Sequence, residues 1–183
     1  MAYGDEPAWL PGDTSDYDRE YCVDVFQLSR FLEATQPEVA RELDLHDAQS
    51  PTRRKFLSRL QGAISKRGVV YVLRHGLQHG PHHISLFYGT PSEGNEQARQ
   101  LFLQNRFSVT RQLRYSRDEQ QRALDLVLFI NGLPVCTFEL KNSLTHQTVK
   151  DAIEHYKRDR HPREKLFELG RCVAHFAVDD HEV

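Results

Sequence analysis

The sequence is short of several things. No window approaches the roughly 18 uninterrupted apolar residues a membrane-spanning helix requires, so a transmembrane segment is excluded. Cysteine is scarce: Cys22, Cys136 and Cys172 lie far apart and form no Cys-x-x-Cys. That count suits buried thiols in a reducing cytoplasm better than a disulfide framework. The opening "MAYGDEPAWLPGDTSDYDREY" is acidic and Pro/Gly-punctuated, unlike a secretory signal. Internal repeats and low-complexity tracts are absent. An excess of one charge is missing too: the net charge is -2, so bulk electrostatics do not announce a nucleic-acid binder.

What remains is a chain of 183 residues, 39% hydrophobic and 27% charged, the composition of a soluble globular domain. That length holds one domain with a real core and is too short for two comfortable ones. Basic residues gather locally: Arg53, Arg54, Lys55 and Arg59; Arg111, Arg114 and Arg117; Lys150, Lys157, Arg158, Arg160 and Arg163. Each cluster is equally readable as a solvated face, and acidic residues intersperse the third.

Residues 1–16 read as a coil leading in. Helical spacing of apolar residues follows over 21–35, and Thr35-Gln36-Pro37 can stop that helix and start another over 37–45. Ser50-Pro51-Thr52 opens a third helix, with Phe56, Leu57, Leu60 and Ile64 on one face and Gly68 as its stop. "VVYVLRHG" and "HHISLFYG" read as two strands, 95–106 as a helix and 107–116 as a strand. A hairpin "ALDLVLFINGLPVCTFELKN" (123–142), a helix over 148–160 and a last strand over 171–180 complete the chain. This order predicts an α+β domain with a mixed sheet: an antiparallel meander, then a crossover helix returning to it. The mostly helical part covers about 1–94 and the core about 95–183.

The hairpin carries the chemistry. Asn131-Gly132 is a strong turn signal between two apolar runs, yet Asp125 interrupts the first run while Glu139 and Lys141 punctuate the second. Uncompensated charge at the ends of such strands is costly. Glu139 and Lys141 lie two apart, about 6.6 Å along one strand face, with Phe138 and Leu140 facing the other way into a core. A carboxylate from each strand with a lysine beside one can hold Mg²⁺ at a phosphate. The alternative is an edge ion pair between Glu139 and Lys141.

Register decides between them. In a strict two-residue hairpin Asp125 sits opposite Phe138 and points away from Glu139. The metal reading requires an irregular register, with Ile130 opposite Pro134 or a bulge within one strand. Pro134, lacking an N–H, favours irregularity near the turn.

The stretches "NRFSVTRQLRYS" and "LDLVLFINGLPVCTFELKNSLTHQTVKDAIEHYKRDRHPREKLFELGRCVAHFAVDD" resemble the nuclease domain of the R (motor and cleavage) subunit of type I restriction enzymes, of the PD-(D/E)xK superfamily. The resemblance runs from about Asn105 to Val183 and, more loosely, from Asp16. It implies a restriction-endonuclease-like core, αβββαβ, and an Mg²⁺-dependent endonuclease of double-stranded DNA, with Mn²⁺ as a substitute. Asp125 and Glu139 then resemble the metal-binding carboxylates, Lys141 the catalytic lysine, and the Leu140 carbonyl a further ligand. Leu124 stands where the superfamily name has Pro.

Two features depart from the family. The Gln-x-x-x-Tyr motif is missing: Ala152 precedes Tyr156 by four positions, and Asp159 stands four after His155, leaving both helix positions unassigned. A metal-ligating Glu from an N-terminal helix is also missing; Glu20, Glu33 and Glu96 are conceivable substitutes. Gln112, on the strand beside Asp125, and Lys150, Lys157 and Arg158 are candidate DNA contacts. With no recognition helix or zinc finger, phosphate contacts position without reading sequence. No Walker-type Gly-x-x-x-x-Gly-Lys-Ser/Thr occurs, so ATP use belongs to a parent chain. Specificity and methylation belong to partner subunits. Two other readings stay open: a stand-alone repair or recombination nuclease, and a degenerate nuclease fold that docks DNA or subunits. The histidines His75, His79, His82 and His83 invite a metal reading, but a Gly/Pro loop accounts for them without ligand spacing.

Overall fold

The computed structural model describes residues 9–116, 122–140 and 164–178. At its centre is a five-stranded mixed sheet in the order β1 (Trp9–Pro11), β6 (Phe107–Arg114), β7 (Ala123–Ile130), β8 (Leu133–Leu140), β9 (Ala174–Val178). The meander β6–β7–β8 is antiparallel, while β1 joins β6 and β9 joins β8 in parallel. The chain is therefore an α+β domain with a mixed sheet. Helix α5 (Glu96–Leu103) precedes the meander. The described core order is helix, three strands, strand; the helix expected over 148–160 lies outside the described residues.

The helical layer comprises α1 (Val25–Thr35), α2 (Pro37–Leu43), α3 (Pro51–Arg67) and α4 (Val69–His75). The Asp24 side chain caps α1 at the Gln27 N–H, and Gln36-Pro37 separates α1 from α2. Ser50 caps α3, and Gly68, at φ +84°, ends it where a Cβ would be strained. Phe56, Leu57, Leu60 and Ile64 are fully buried, as their spacing predicts.

Two expectations fail. "VVYVLRH" is helix α4, not a strand. Its β-branched residues suggest extension, but Val69, Val72 and Leu73 fall on one helical face and are buried, while Val70 and Tyr71 are exposed. Glycines at both ends, Gly68 and Gly76, bound this turn-rich piece, so packing overrides propensity. Of "HHISLFYG" only β5 (His82–Ile84) is strand, paired with β4 (Leu77–His79) across Gly80-Pro81. The leading coil, too, contributes β1 to the sheet edge, with Gly12 N–H donating to Val109 O.

The sheet separates two cores. Leu133 and Val135 face the helical layer with Leu28, Phe31, Leu60 and Ile84, while Val127 and Phe129 face a second cluster with Tyr17, Leu113, Tyr115 and Leu124. At the hairpin turn Asn131 (φ +49°) and Gly132 (φ +81°) adopt the left-handed conformations of a two-residue primed turn. A Cβ on Gly132 would sit 2.3 Å from Asp24 O, so helix α1 seats directly on the turn. The buried Asn131 amide donates to Leu86 O (2.9 Å) and Asn105 Oδ1 (3.0 Å), and its Oδ1 accepts from Arg106 N (2.6 Å).

Candidate functional site

The turn itself is regular: Ile130 pairs with Leu133 and Phe129 with Pro134, so the odd-loop alternative is not the one realised. The register then shifts, because Leu128 pairs with Cys136 and leaves Val135 as an extra residue. This is the bulge within one strand that the metal reading requires. Beyond it Val127 faces Thr137 and Leu126 faces Phe138. The last pair of that ladder is Leu126–Phe138; extended by one residue, the same register would set Asp125 opposite Glu139, on the face of the Val127–Thr137 pair.

The bulge also reverses which layer each half of β8 addresses. Before it, Leu133 and Val135 belong to the helical side. After it, Thr137 and Glu139 belong to the opposite side. The expectation that Phe138 and Leu140 enter a core is therefore wrong: Glu139 is only 9% exposed, Leu140 is 47% exposed, and Phe138 stacks on Phe176 at 4.9 Å.

Asp125 is held from two directions. Its Oδ1 accepts from Gln112 Nε2 at 2.8 Å, and its Oδ2 accepts from the Leu140 backbone N–H at 2.7 Å. Each carboxylate oxygen keeps a second lone pair for a cation. Gln112 is thus a partner of Asp125. Its backbone is unusual for a non-glycine strand residue, φ +49°, and the β6–β7 ladder skips this rung between the Arg111–Leu126 and Leu113–Leu124 pairs. Buried positions along β6 and the residue after it change parity across it, from Ser108 and Thr110 to Leu113 and Tyr115. Backbone strain of this kind, about 1–3 kcal/mol, persists where surrounding structure over-determines it.

The oxygen donors here are the hard ligands that Mg²⁺ takes in small number, completing its shell with water and phosphate oxygens. Asp125, Glu139 and the Leu140 carbonyl could hold such an ion. Sequence reasoning missed Thr137 and His175: Thr137 Oγ1 and His175 Nδ1 share a 2.7 Å hydrogen bond, two register rows before Glu139–Ala177. The His175 ring packs on Phe167 at 5.2 Å, and desolvation pushes its pKa below the ordinary value. No motif flagged it, because the β8–β9 register that creates the pair joins segments 38 residues apart.

The remaining candidates separate. Lys141, Lys150, His155, Tyr156, Lys157 and Arg158 lie outside the described residues. Glu33 bonds His46, Ser29 and Arg30, and Glu96 bonds Gln100. Among the described residues no group of three His, Cys, Asp or Glu side chains gathers as a metal cluster, so neither these, Glu20 nor the histidine loop forms one. His82 instead pairs with Glu42 at 2.7 Å, and His83 with His75 O at 2.9 Å.

The five-stranded mixed sheet with its bulged β7–β8 hairpin is that of an α+β domain, consistent with a nuclease-like fold. Residues 35–183, more than half of the chain, match the sequence model of the family described as "Type I restriction enzyme R protein N terminus". The chain belongs to that family. It is also 35% identical, over 72 residues, to a putative type I restriction enzyme MjaIXP endonuclease subunit of Methanocaldococcus jannaschii. That match covers 38% of this chain and 7% of the relative. No solved structure matches. Among the described residues no helix is long and apolar enough to cross a membrane.

Proposed function

We propose that this chain is the Mg²⁺-dependent nuclease domain of a type I restriction enzyme R subunit and hydrolyses phosphodiester bonds of double-stranded DNA. The observation that supports it most is the Val135 bulge, a register shift that, continued one residue past the Leu126–Phe138 pair, would set Asp125 opposite Glu139. Asp125, oriented by Gln112 and the Leu140 N–H, and Glu139 hold the metal with the Leu140 carbonyl, and Lys141 orients the attacking water. When bound, the metal stabilises charge developing on the phosphate. Mn²⁺ can substitute for it. ATP-driven translocation resides in the parent protein, and the methyltransferase and specificity subunits of a cytoplasmic complex supply recognition.

A calorimetric Mn²⁺ titration of the chain beside its Asp125→Ala and Glu139→Gln variants tests this reading. Binding in the parent that disappears in both variants is expected. Binding that survives both substitutions would leave the carboxylates structural and favour the degenerate, docking-only fold. That alternative draws on the lack of a third carboxylate or imidazole beside the pair among the described residues.

A further inference from the structure

Charge is distributed very unevenly along this near-neutral chain. Residues 48–92 contain no Asp or Glu but hold seven Lys and Arg and four His; the other 17 Lys and Arg share the rest of the chain with all 26 carboxylates. This run forms α3, α4, β4 and β5, and between the first three lies a cleft of about 510 Å³.

The cleft's charged lining is entirely cationic: Arg59, Lys66 and Arg67. Its floor is narrow-sided, because Gly62 and Ala63 separate Arg59 from Lys66 on α3, and a Cβ built on Gly62 meets nothing within 4 Å. One wall is preassembled. Arg67 Nη1 donates to Tyr71 Oη at 2.7 Å, its guanidinium lies 4.9 Å over the Tyr71 ring, and that ring stacks on His75 at 4.1 Å. Opposite, Arg59 Nε is fixed on Gln78 O at 2.5 Å. Among the described residues, Glu168 bonds Ser65 and Asp18 pairs with Arg53 on α3, and Glu42 pairs with His82 on β5, all outside the cleft lining. Lys66 has no ion pair among the described residues.

We propose that this cleft binds the phosphodiester backbone of duplex DNA, as a docking surface separate from the Asp125–Glu139 site. Three convergent cations around a small-residue floor suit a ridge of phosphates, each neutralised with release of a counterion. An acidic peptide would meet the same cations, so poly-glutamate is the competing ligand. The choice of duplex as ligand rests on the nuclease reading; the anion-binding character does not.

Fluorescence anisotropy of a labelled duplex against the full chain in EDTA tests it, so that no metal site contributes. Gly62→Glu combined with Lys66→Glu should weaken binding about tenfold near physiological salt and reduce the salt slope by about two. Gly62→Gln, which adds bulk without charge, should change the slope little. Unchanged affinity and slope in a doubly substituted chain that still melts like the parent would overturn the proposal. So would tighter capture of poly-glutamate than of duplex. Loss of cleavage in Asp125→Asn with no effect of the cleft variants would sink the cleft and keep the nuclease. DNA binding through the cleft without cleavage by the parent would do the reverse.

Discussion

The two ends of the β7–β8 hairpin are built to opposite specifications. At the closed end the groups are tightly engaged: the Asn131 side chain makes three hydrogen bonds, Gly132 holds a positive φ with no room for a Cβ, and α1 lies against the turn. At the open end the β7–β8 ladder stops at Leu126–Phe138, just before Asp125 and Glu139, Gln112 sits at a positive φ, and the β6–β7 ladder skips a rung. Between them one extra residue, Val135, changes which layer the strand addresses. The closed end holds the fold, and that rigidity lets the open end carry charge and strain that would be costly by themselves.

The largest expected effect breaks the open end alone. Asp125→Asn keeps the shape of the side chain and removes its charge. Mg²⁺-dependent cleavage of plasmid DNA by the assembled enzyme should fall by about 10³-fold, or about 4 kcal/mol of transition-state stabilisation. The melting temperature should move by no more than about 2 °C. A cleavage rate within a few fold of the parent would remove Asp125 from the chemistry.

The closed end should show the converse. Gly132→Ala places a Cβ 2.3 Å from Asp24 O and 2.8 Å from Leu28, at φ +81°. The cost should be about 3 kcal/mol, lowering the melting temperature by about 6–12 °C for a domain of this size. The Mn²⁺ affinity of the fraction still folded should be unchanged. A loss of affinity without a loss of stability would show that the two ends are not separable.

Legibility in the sequence follows the same division. The turn, the α3 core face and helix α5 could be read directly, because each depends on residues close in sequence. The Asp125–Glu139 pairing could be read only conditionally: Pro134 signalled an irregularity, but its type depended on how Val135 packs against the helical layer. Helix α4 was misread because a β-branched run carries a strand propensity that burial of Val69, Val72 and Leu73 overrides. The grip of Gln112 on Asp125 was not legible at all, since it requires knowing that β6 departs from ladder geometry at that residue.

A smaller effect tests the junction between the ends. Asp24 caps α1 through Oδ1 while Oδ2 is buried without a hydrogen bond, and desolvation raises its pKa from 3.8 to about 6. A carboxyl whose pKa is raised by folding contributes its full stability below the unfolded value and loses it as pH climbs through the folded one. Wild-type stability should therefore decline between about pH 4 and pH 6 on this account, then level off. Asp24→Asn keeps the capping oxygen and cannot ionise, so it should gain about 3 kcal/mol over wild type near pH 8 and little near pH 4. Denaturant titrations at the two pH values measure this, and an equal difference at both would assign the effect to packing.

The smallest effect concerns Gln112, where the two specifications meet in a single residue. Its backbone asks for glycine and its side chain serves Asp125. Gln112→Gly relieves the left-handed strain of about 1 kcal/mol, partly offset by the greater freedom of glycine in the unfolded chain. It also removes the donor that fixes Asp125 Oδ1. Cleavage should slow about tenfold, the size of one lost charge-assisted hydrogen bond, while the melting temperature falls no lower than the parent's. Gln112→Ala should slow cleavage equally and keep the strain, so it should melt below Gln112→Gly. If glycine melts lower than alanine, the positive φ is a preference of the site and not a strain held for it, and the open end is no less settled than the closed one.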